Sequence, residues 1–598
     1  MQFYQVIASS ICRRAHASRI QVGERKMKHL PIIYIRGYAG ATSGIDSQVD
    51  DPFYGFNEGA THIRVGGDGD PMFYQFEGPM LRLMIDEGYK LLVQGDQHAY
   101  LENAEDDGLD AASIWVYRFY DQAATTFAAP RRQNTWQRLQ RRFRADGFDL
   151  EEAAEGLYDL IELVLRKTRS PAGAAESKKV ILVAHSMGGL VARCMMQKIC
   201  RTPDTRNGPD REKPRRKAKE IVDKFFTYGT PHGGIVFQSN VLNWFEEVVG
   251  PAGSDIFAPE KMYGYLTPEA SFGDTPPRDE EWDPRALPES ILDVDDVFCL
   301  VGTDPQDYGP SKIVVGPKSD GLVCIENAYV RGAHRAFVHK SHSGRYGEVN
   351  SEEGYQNLRR FLFARWKVRV DFTGLSKYPV HMEDLPAEEQ WPIWQADVRL
   401  SVRGLPVVIS EQRIDQYCPI QLNEELKRNR ADNLDTPDRP VPLLTTFLFD
   451  PADLHSPRDK KAAEQHGGRA RYSITLRVGK LVERERGFDF ADHMEQVFDW
   501  ADSLIVDVGP EDSGEGLQAW MGWNTEINGA IDEFDPITKF PIQPTSIDGG
   551  QWKCQVALPY AARALPIFGD AAALDITITD RRFAVPSKAE PTGIAVPA

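Results

Sequence analysis

Over roughly the first 365 residues, short continuous apolar runs alternate with helix-spaced patterns. Leu30 to Ile35 is an unbroken apolar run ending in Arg36-Gly37-Tyr38-Ala39-Gly40. That reads as a strand buried on both faces, followed by a glycine-containing loop. Ser113 to Tyr120 is β-branched and aromatic, and Lys178 to Ala184, Lys224 to Tyr228 and Val297 to Val301 read as further strands. Leu157, Leu160, Ile161 and Val164 recur at helix spacing within Leu150 to Lys167. Glu151, Glu152 and Glu155 stand near the start of that segment, where a helix dipole favours carboxylates. Gly188 to Lys198 and Glu352 to Arg365 are expected to be helices as well. Strands alternating with helices predict an α/β fold with a mostly parallel sheet.

After about Trp366 the period changes to two. Val368, Val370 and Phe372 alternate with charged residues, as do Ala396, Val398, Leu400 and Val402. The pattern returns at Tyr472 to Val478, Leu504 to Val508, Trp552 to Leu558 and Leu574 to Ile578. Strands with one wet face predict antiparallel sheets, and several of them with few helices predict a β-rich, β-sandwich-like domain. The expected organisation is therefore a leader or over-extended start over residues 1–27, a catalytic domain over 28–366 and an accessory domain over 367–598.

Two insertions interrupt the first domain. Arg201 to Lys219, rich in Arg, Lys and Pro, reads as a solvated surface excursion. Residues 235–296 read as a lid insertion. Its first part carries Phe237, Val241, Leu242, Trp244, Phe245, Val248 and Val249, which suit either a cover over an apolar pocket or an ordinary packed helix. Its second part, Ala258 to Asp296, is Pro- and acid-rich and is expected to be irregular. The Gly66-Gly67-Asp68-Gly69-Asp70 run lacks the spaced ligands of a calcium loop.

A chain of 598 residues exceeds one ordinary core, which agrees with two domains. Its formal net charge of -18 disfavours nucleic acid as a partner. It leaves room for a lipid or small ester substrate entering a neutral pocket. No run approaches the roughly 20 apolar residues of a membrane span, so only transient contact with a lipid interface is expected. The 7 cysteines are odd in number and have no metal-ligand spacing, so reduced thiols and a cytoplasmic protein are expected, the alternative being export without a classical signal peptide. Neither metal nor cofactor is called for, and the pattern says nothing of oligomeric state.

The chemistry concentrates in Ala184-His185-Ser186-Met187-Gly188. A serine stands at a sharp turn between a buried strand and a helix, with small residues two before and two after it. This is a nucleophile elbow of the form A-x-S-x-G. The helix that follows aims its N-terminus at the serine, so the Met187 backbone N–H can donate to a developing oxyanion. Serine needs a base, and the order Ser, Asp, His is expected for such an elbow. Candidate histidines are His342, in Lys340-Ser341-His342-Ser343-Gly344, then His339, with His334 also near. Candidate acids are Asp320, in Ser319-Asp320-Gly321-Leu322-Val323, and Asp304, after the strand ending at Val301.

Beside the elbow, the chain carries Gly229-Thr230-Pro231-His232-Gly233-Gly234. These segments, with Asp320-Gly321-Leu322-Val323 and a histidine before the closing helix, resemble bacterial lipases and PGAP-type, inositol-deacylase-like hydrolases. The resemblance covers about residues 30 to 365. It implies an α/β-hydrolase fold and favours Asp320 with His342 as the acid and base. Arg36-Gly37-Tyr38 takes the place of an H-G-like oxyanion loop, so the Tyr38 N–H is the implied second donor. The resemblance gives His232 a supporting role. The expected activity is cleavage of carboxylic esters of lipid-like substrates by Ser186, His342 and Asp320. The alternatives are a phospholipase, of the type VI secretion effector kind, and an inactive hydrolase fold used for binding.

Overall fold

The computed structural model describes residues 29–37, 64–65, 71–72, 77–92, 97–117, 149–170, 178–206, 212–235, 256–278, 282–306, 316–342, 347–375, 393–422, 440–450, 469–484, 493–510, 517–527, 541–542, 544–547, 550–565 and 567–582. The expected leader, Tyr38, the Gly66 to Asp70 run and the apolar stretch 236–255 lie outside them.

Seven parallel strands form the first sheet. They are β1 (Ile32–Ile35), β2 (Lys90–Leu91), β3 (Ser113–Tyr117), β4 (Val180–His185), β5 (Val222–Tyr228), β6 (Val297–Gly302) and β7 (His334–Val338), in spatial order β2-β3-β1-β4-β5-β6-β7. Its central strands are buried throughout, which is why their sequences are continuous apolar runs rather than alternating ones. Successive side chains still point to opposite faces. Ile33, Ile35, Leu182 and Ala184 enter one core with helices α3 (Leu150–Lys167) and α4 (Met187–Gln197). Ile32, Tyr34, Ile181 and Val183 enter a second core with α1 (Glu77–Glu87) and α6 (Glu352–Phe363). Between these helices in the chain come α2 (Gln97–Asn103) and α5 (Met262–Leu266).

Local chemistry sets the helix starts. Asp149 caps α3 by accepting from the Glu151 and Glu152 N–H groups, and Ser351 caps α6 by accepting from Gly354 N–H. Each such cap is worth about 1 kcal/mol. The basic excursion 201–219 is anchored to α3, with Arg206 on Asp159, Arg215 on Glu155 and Arg216 on Glu162. Three of its arginines are thus paired with the acidic face of that helix.

The second half of the expected lid sends apolar side chains into the core. Ile256, Phe257, Met262, Tyr265, Leu266, Ile291 and Leu292 are buried with α3 and α4. Arg193 of α4 is fully buried there and donates to the carbonyls of His232, Pro284 and Ala286. Irregular backbone is tolerated in this interior because a long cation satisfies its carbonyls.

From Trp366 on, the strand pairings among the described residues are all antiparallel. One sheet holds β8 (Trp366–Leu375), β11 (Val441–Leu448), β16 (Thr545–Ile547), β17 (Gln551–Ala557) and β18 (Phe568–Asp580), in the order β11-β8-β18-β17-β16. The other runs β10-β9-β12-β13-β14-β15, from β9 (Ile393–Val402), β10 (Val408–Gln412), β12 (Ala470–Arg484), β13 (His493–Pro510), β14 (Leu517–Trp523) and β15 (Pro541–Ile542). Val368, Val370 and Phe372 of the first sheet share one core with Val398, Leu476, Val506 and Trp523 of the second. The alternating runs are the inner faces of this sandwich.

The two parts meet directly. Helix α6 ends at Phe363, and β8 begins at Trp366. Phe447 of β11 leaves the sandwich core and packs against Phe361 of α6, ring centroids 5.4 Å apart. Arg365 pairs with Asp450 and with Asp580, its Nε 2.9 Å from the latter carboxylate. Among the described residues no helix is long and apolar enough to cross a membrane.

Candidate active site

Strand β4 and helix α4 meet at Ser186, whose backbone has φ 53° and ψ -131°. A side-chain-bearing residue rarely takes a positive φ, so the surroundings must hold it there. Its N–H donates to the Tyr228 carbonyl at 2.9 Å. A Cβ on Gly188 would lie 2.7 Å from the Ile35 carbonyl oxygen, and one on Gly37 2.8 Å from the Ser186 Cβ. Both glycines are therefore required by close packing of β1 against the elbow. Ala184, where the commoner form of this turn has glycine, is fully buried near the end of β4.

Three loops at the C-terminal edge of the sheet converge on the serine. His342 Nε2 lies 3.0 Å from Ser186 Oγ, and its Nδ1 lies 2.7 Å from Asp320 Oδ2. A carboxylate only accepts, so Nδ1–H donates to Asp320 and Nε2 is left to accept from the serine hydroxyl. The other carboxylate oxygen, Oδ1, accepts from the N–H groups of Leu322 at 2.9 Å and Val323 at 2.7 Å. This is why the segment Asp320-Gly321-Leu322-Val323 forms a tight turn. His342 and Asp320 are both buried, whereas Ser186 is partly exposed. His342 is also tied through its backbone, its N–H to the Asp320 carbonyl and its carbonyl to His185 Nε2 at 3.0 Å. Burial drives the His185 ring well below its ordinary pKa, and the neighbouring His342 adds to this. His185 is thus a neutral donor behind the row.

The competing candidates lie elsewhere. His339 Nδ1 is 3.4 Å from Thr303 Oγ1. His334 is on β7 and faces Asp295 at 3.3 Å. Asp304 accepts from the Gln306 N–H at 2.8 Å. His232 is fully buried, with Nε2 3.1 Å from Thr227 Oγ1, and burial lowers its pKa well below the ordinary value. It packs the turn after β5 and does not touch the serine's row. Met187 is the first residue of α4, so its N–H belongs to the positive end of that helix.

One residue escaped the sequence reading. Glu348 is fully buried beside the row. Burial, reinforced by the Asp320 charge, pushes its carboxyl well above the ordinary range, which favours the neutral form. Gly229 explains how it fits. This glycine has φ 47°, and a Cβ there would fall on Glu348 Oε1 while lying 2.9 Å from His342 Nδ1 and 3.0 Å from Asp320 Oδ2. The only signal in sequence was a lone acid between the histidine loop and the Ser351 cap. His185, His342 and Glu348 come close enough to share a cation, their ligand atoms within 4.8 Å of one another. Such an ion would compete with Ser186 and Asp320 for the His342 ring.

A methyl at position 229 strikes three members of this cluster at once. Gly229→Ala is expected to lower kcat by on the order of 10²-fold, the usual consequence of displacing reacting groups by about 1 Å. Steady-state kinetics on the folded variant check it, and a kcat within a few-fold of wild type would contradict it.

Residues 139–249 match the family model described as the PGAP1-like alpha/beta domain. That stretch contains α3, β4, Ser186, α4 and β5. It agrees with the α/β-hydrolase resemblance and with the seven-stranded parallel sheet. No curated protein matches the chain in sequence. Among solved structures the chain is similar to "Phospholipase PlaB from Legionella pneumophila", with 11% sequence identity, 78% of this chain and 91% of that chain covered, and a TM-score of 0.29. It is also similar to the Tle1 effector bound to the VgrG spike of the type 6 secretion system, with 12% identity, coverage of 64% and 65%, and a TM-score of 0.21. Likenesses this distant transfer no activity.

Proposed function

We propose that this α/β-hydrolase-fold chain is a serine hydrolase that cleaves carboxylic esters of lipid-like substrates. The observation that carries the reading is the unbroken row from Ser186 Oγ through His342 to Asp320, at 3.0 and 2.7 Å. In this reading His342 Nε2 takes the serine proton as Oγ attacks the ester carbonyl. Asp320 holds the ring in the tautomer that leaves Nε2 free to accept, and stabilises the imidazolium that forms. The Met187 N–H receives the developing oxyanion, with the Tyr38 N–H as the proposed second donor. The imidazolium then protonates the leaving alcohol. Water enters, His342 takes its proton, and the acyl-serine is hydrolysed.

The lipid-like part of the reading rests on the family match and on the apolar composition of residues 235–257. Two measurements test the whole. A fluorophosphonate probe should label the wild-type protein and leave Ser186→Ala unlabelled. Failure to label a folded wild type would favour the inactive, binding-protein alternative. A panel from short p-nitrophenyl esters to triglyceride and phospholipid should then show turnover of acyl esters. Turnover confined to phospholipid would select the phospholipase alternative.

A further inference from the structure

Among the described residues, the turn Arg413 to Cys418 brings the sandwich close to the site. Within it Ile414 to Gln416 form a single 3-10 turn, and Tyr417 has φ 58°. The turn is braced from its own side. Asp397 accepts from Ile414 N–H at 2.8 Å, and Gln416 Nε2 donates to Glu411 at 3.1 Å. Cys418 N–H returns to the Arg413 carbonyl. A turn held this way is a rigid projection rather than a loose loop.

What it touches is specific. Gln416 is buried, and its Oε1 lies 3.3 Å from Thr303 Oγ1, within reach of that hydroxyl's proton. Cys418 is buried in a small cluster with Val301, Val323, Ile325, Ala328 and Phe337, all of the hydrolase part. Val301 and Thr303 flank Gly302, the last residue of β6. Gly302 is the floor on which the acid rests, since a Cβ there would lie 2.8 Å from Asp320 Cβ. Val323, in the same cluster, donates its N–H to Asp320 Oδ1. The Asp320 turn is thus bounded below by β6 and laterally by Val323, and the sandwich turn bears on both. Two more bonds fix this corner. Ser410 Oγ lies 3.2 Å from the Phe337 N–H and accepts from it, and Asn357 Nδ2 donates to the Ile409 carbonyl at 2.6 Å.

We propose that Gln416 and Cys418 of the C-terminal sandwich are positioning residues for Asp320, so that the second domain sets the alignment of the acid with His342 without contacting substrate. The inference rests on the Ser186, His342 and Asp320 reading. It gives the sandwich a definite part in turnover. Anything that shifts the sandwich on the hydrolase would be felt first at the acid, and only through it at the base.

The test uses the full-length chain and the double variant Gln416→Ala/Cys418→Ala. Loss of alignment at Asp320 weakens stabilisation of the imidazolium. The expected result is a fall in kcat on the order of tenfold with KM within about twofold, since sub-ångström misplacement of a reacting group acts on the chemical step. The acid limb of the kcat/KM profile should move to lower pH, because the proton leaves His342 more readily. Refilling the cluster with Cys418→Val in the Gln416 wild-type background should return kcat to the wild-type level. A double variant with a lowered melting temperature, wild-type kcat and an unmoved acid limb would overturn the proposal, since the turn would then be structural only. If the double variant does not fold, Gln416→Ala alone is judged by the same two readouts. The underlying reading is tested separately by fluorophosphonate labelling of the wild type. A labelled wild type with an insensitive double variant defeats this proposal alone, whereas an unlabelled wild type defeats the reading beneath it.

Discussion

Ser186→Ala and His342→Ala should each lower ester turnover by on the order of 10³-fold or more while leaving the protein folded. The alanine at 186 removes the attacking oxygen, and the alanine at 342 removes the only described base within 3.0 Å of it. The two losses should not multiply. Nucleophile and base act as a unit, so the double variant should be about as slow as either single one. His339→Ala is the internal control, because that ring contacts Thr303 and not the serine. Wild-type rates in either principal variant would overturn the assignment, and a collapse confined to His339→Ala would exchange the two histidines.

Asp320→Asn should cost on the order of 10²- to 10⁴-fold in kcat, and Asp304→Asn no more than about threefold. An amide at 320 can still accept at one atom, but it carries no charge to set against the imidazolium, and its NH₂ group favours the wrong ring tautomer. Asp320 is the carboxylate 2.7 Å from His342, whereas Asp304 accepts from the nearby Gln306 N–H. Comparable losses in both variants, measured under saturating ester, would leave the acid unassigned.

Much of this was legible in the chain. The central parallel strands announce themselves because burial on both faces demands unbroken apolar runs, as in Ile32 to Ile35 and Val180 to Ala184. The sandwich announces itself because each inner face enforces a period of two. What was hidden has physical reasons. Strand β7, His334 to Val338, lies at the sheet edge and is half polar, so neither period marks it. Strand β11 carries Pro442 and runs Leu443-Leu444-Thr445-Thr446, which breaks the alternation, and one of its side chains serves the other domain's core. Chain order and the resemblance put forward His342 and Asp320, which the fold brings within 2.7 Å of each other. Glu348 was not legible, because its meaning depends on Gly229 and Gly302, which approach it from distant parts of the chain.

The elbow has a consequence for how such a chain can change over time. At φ 53° and ψ -131°, position 186 asks for glycine, and a side chain there costs on the order of 1–3 kcal/mol of folding free energy. The residue on which the proposed chemistry depends is therefore one that folding alone would discard. Selection for stability and selection for turnover pull in opposite directions at this single site. A lineage no longer needing the ester hydrolysed would be expected to lose the serine early, and to become sturdier as it did so.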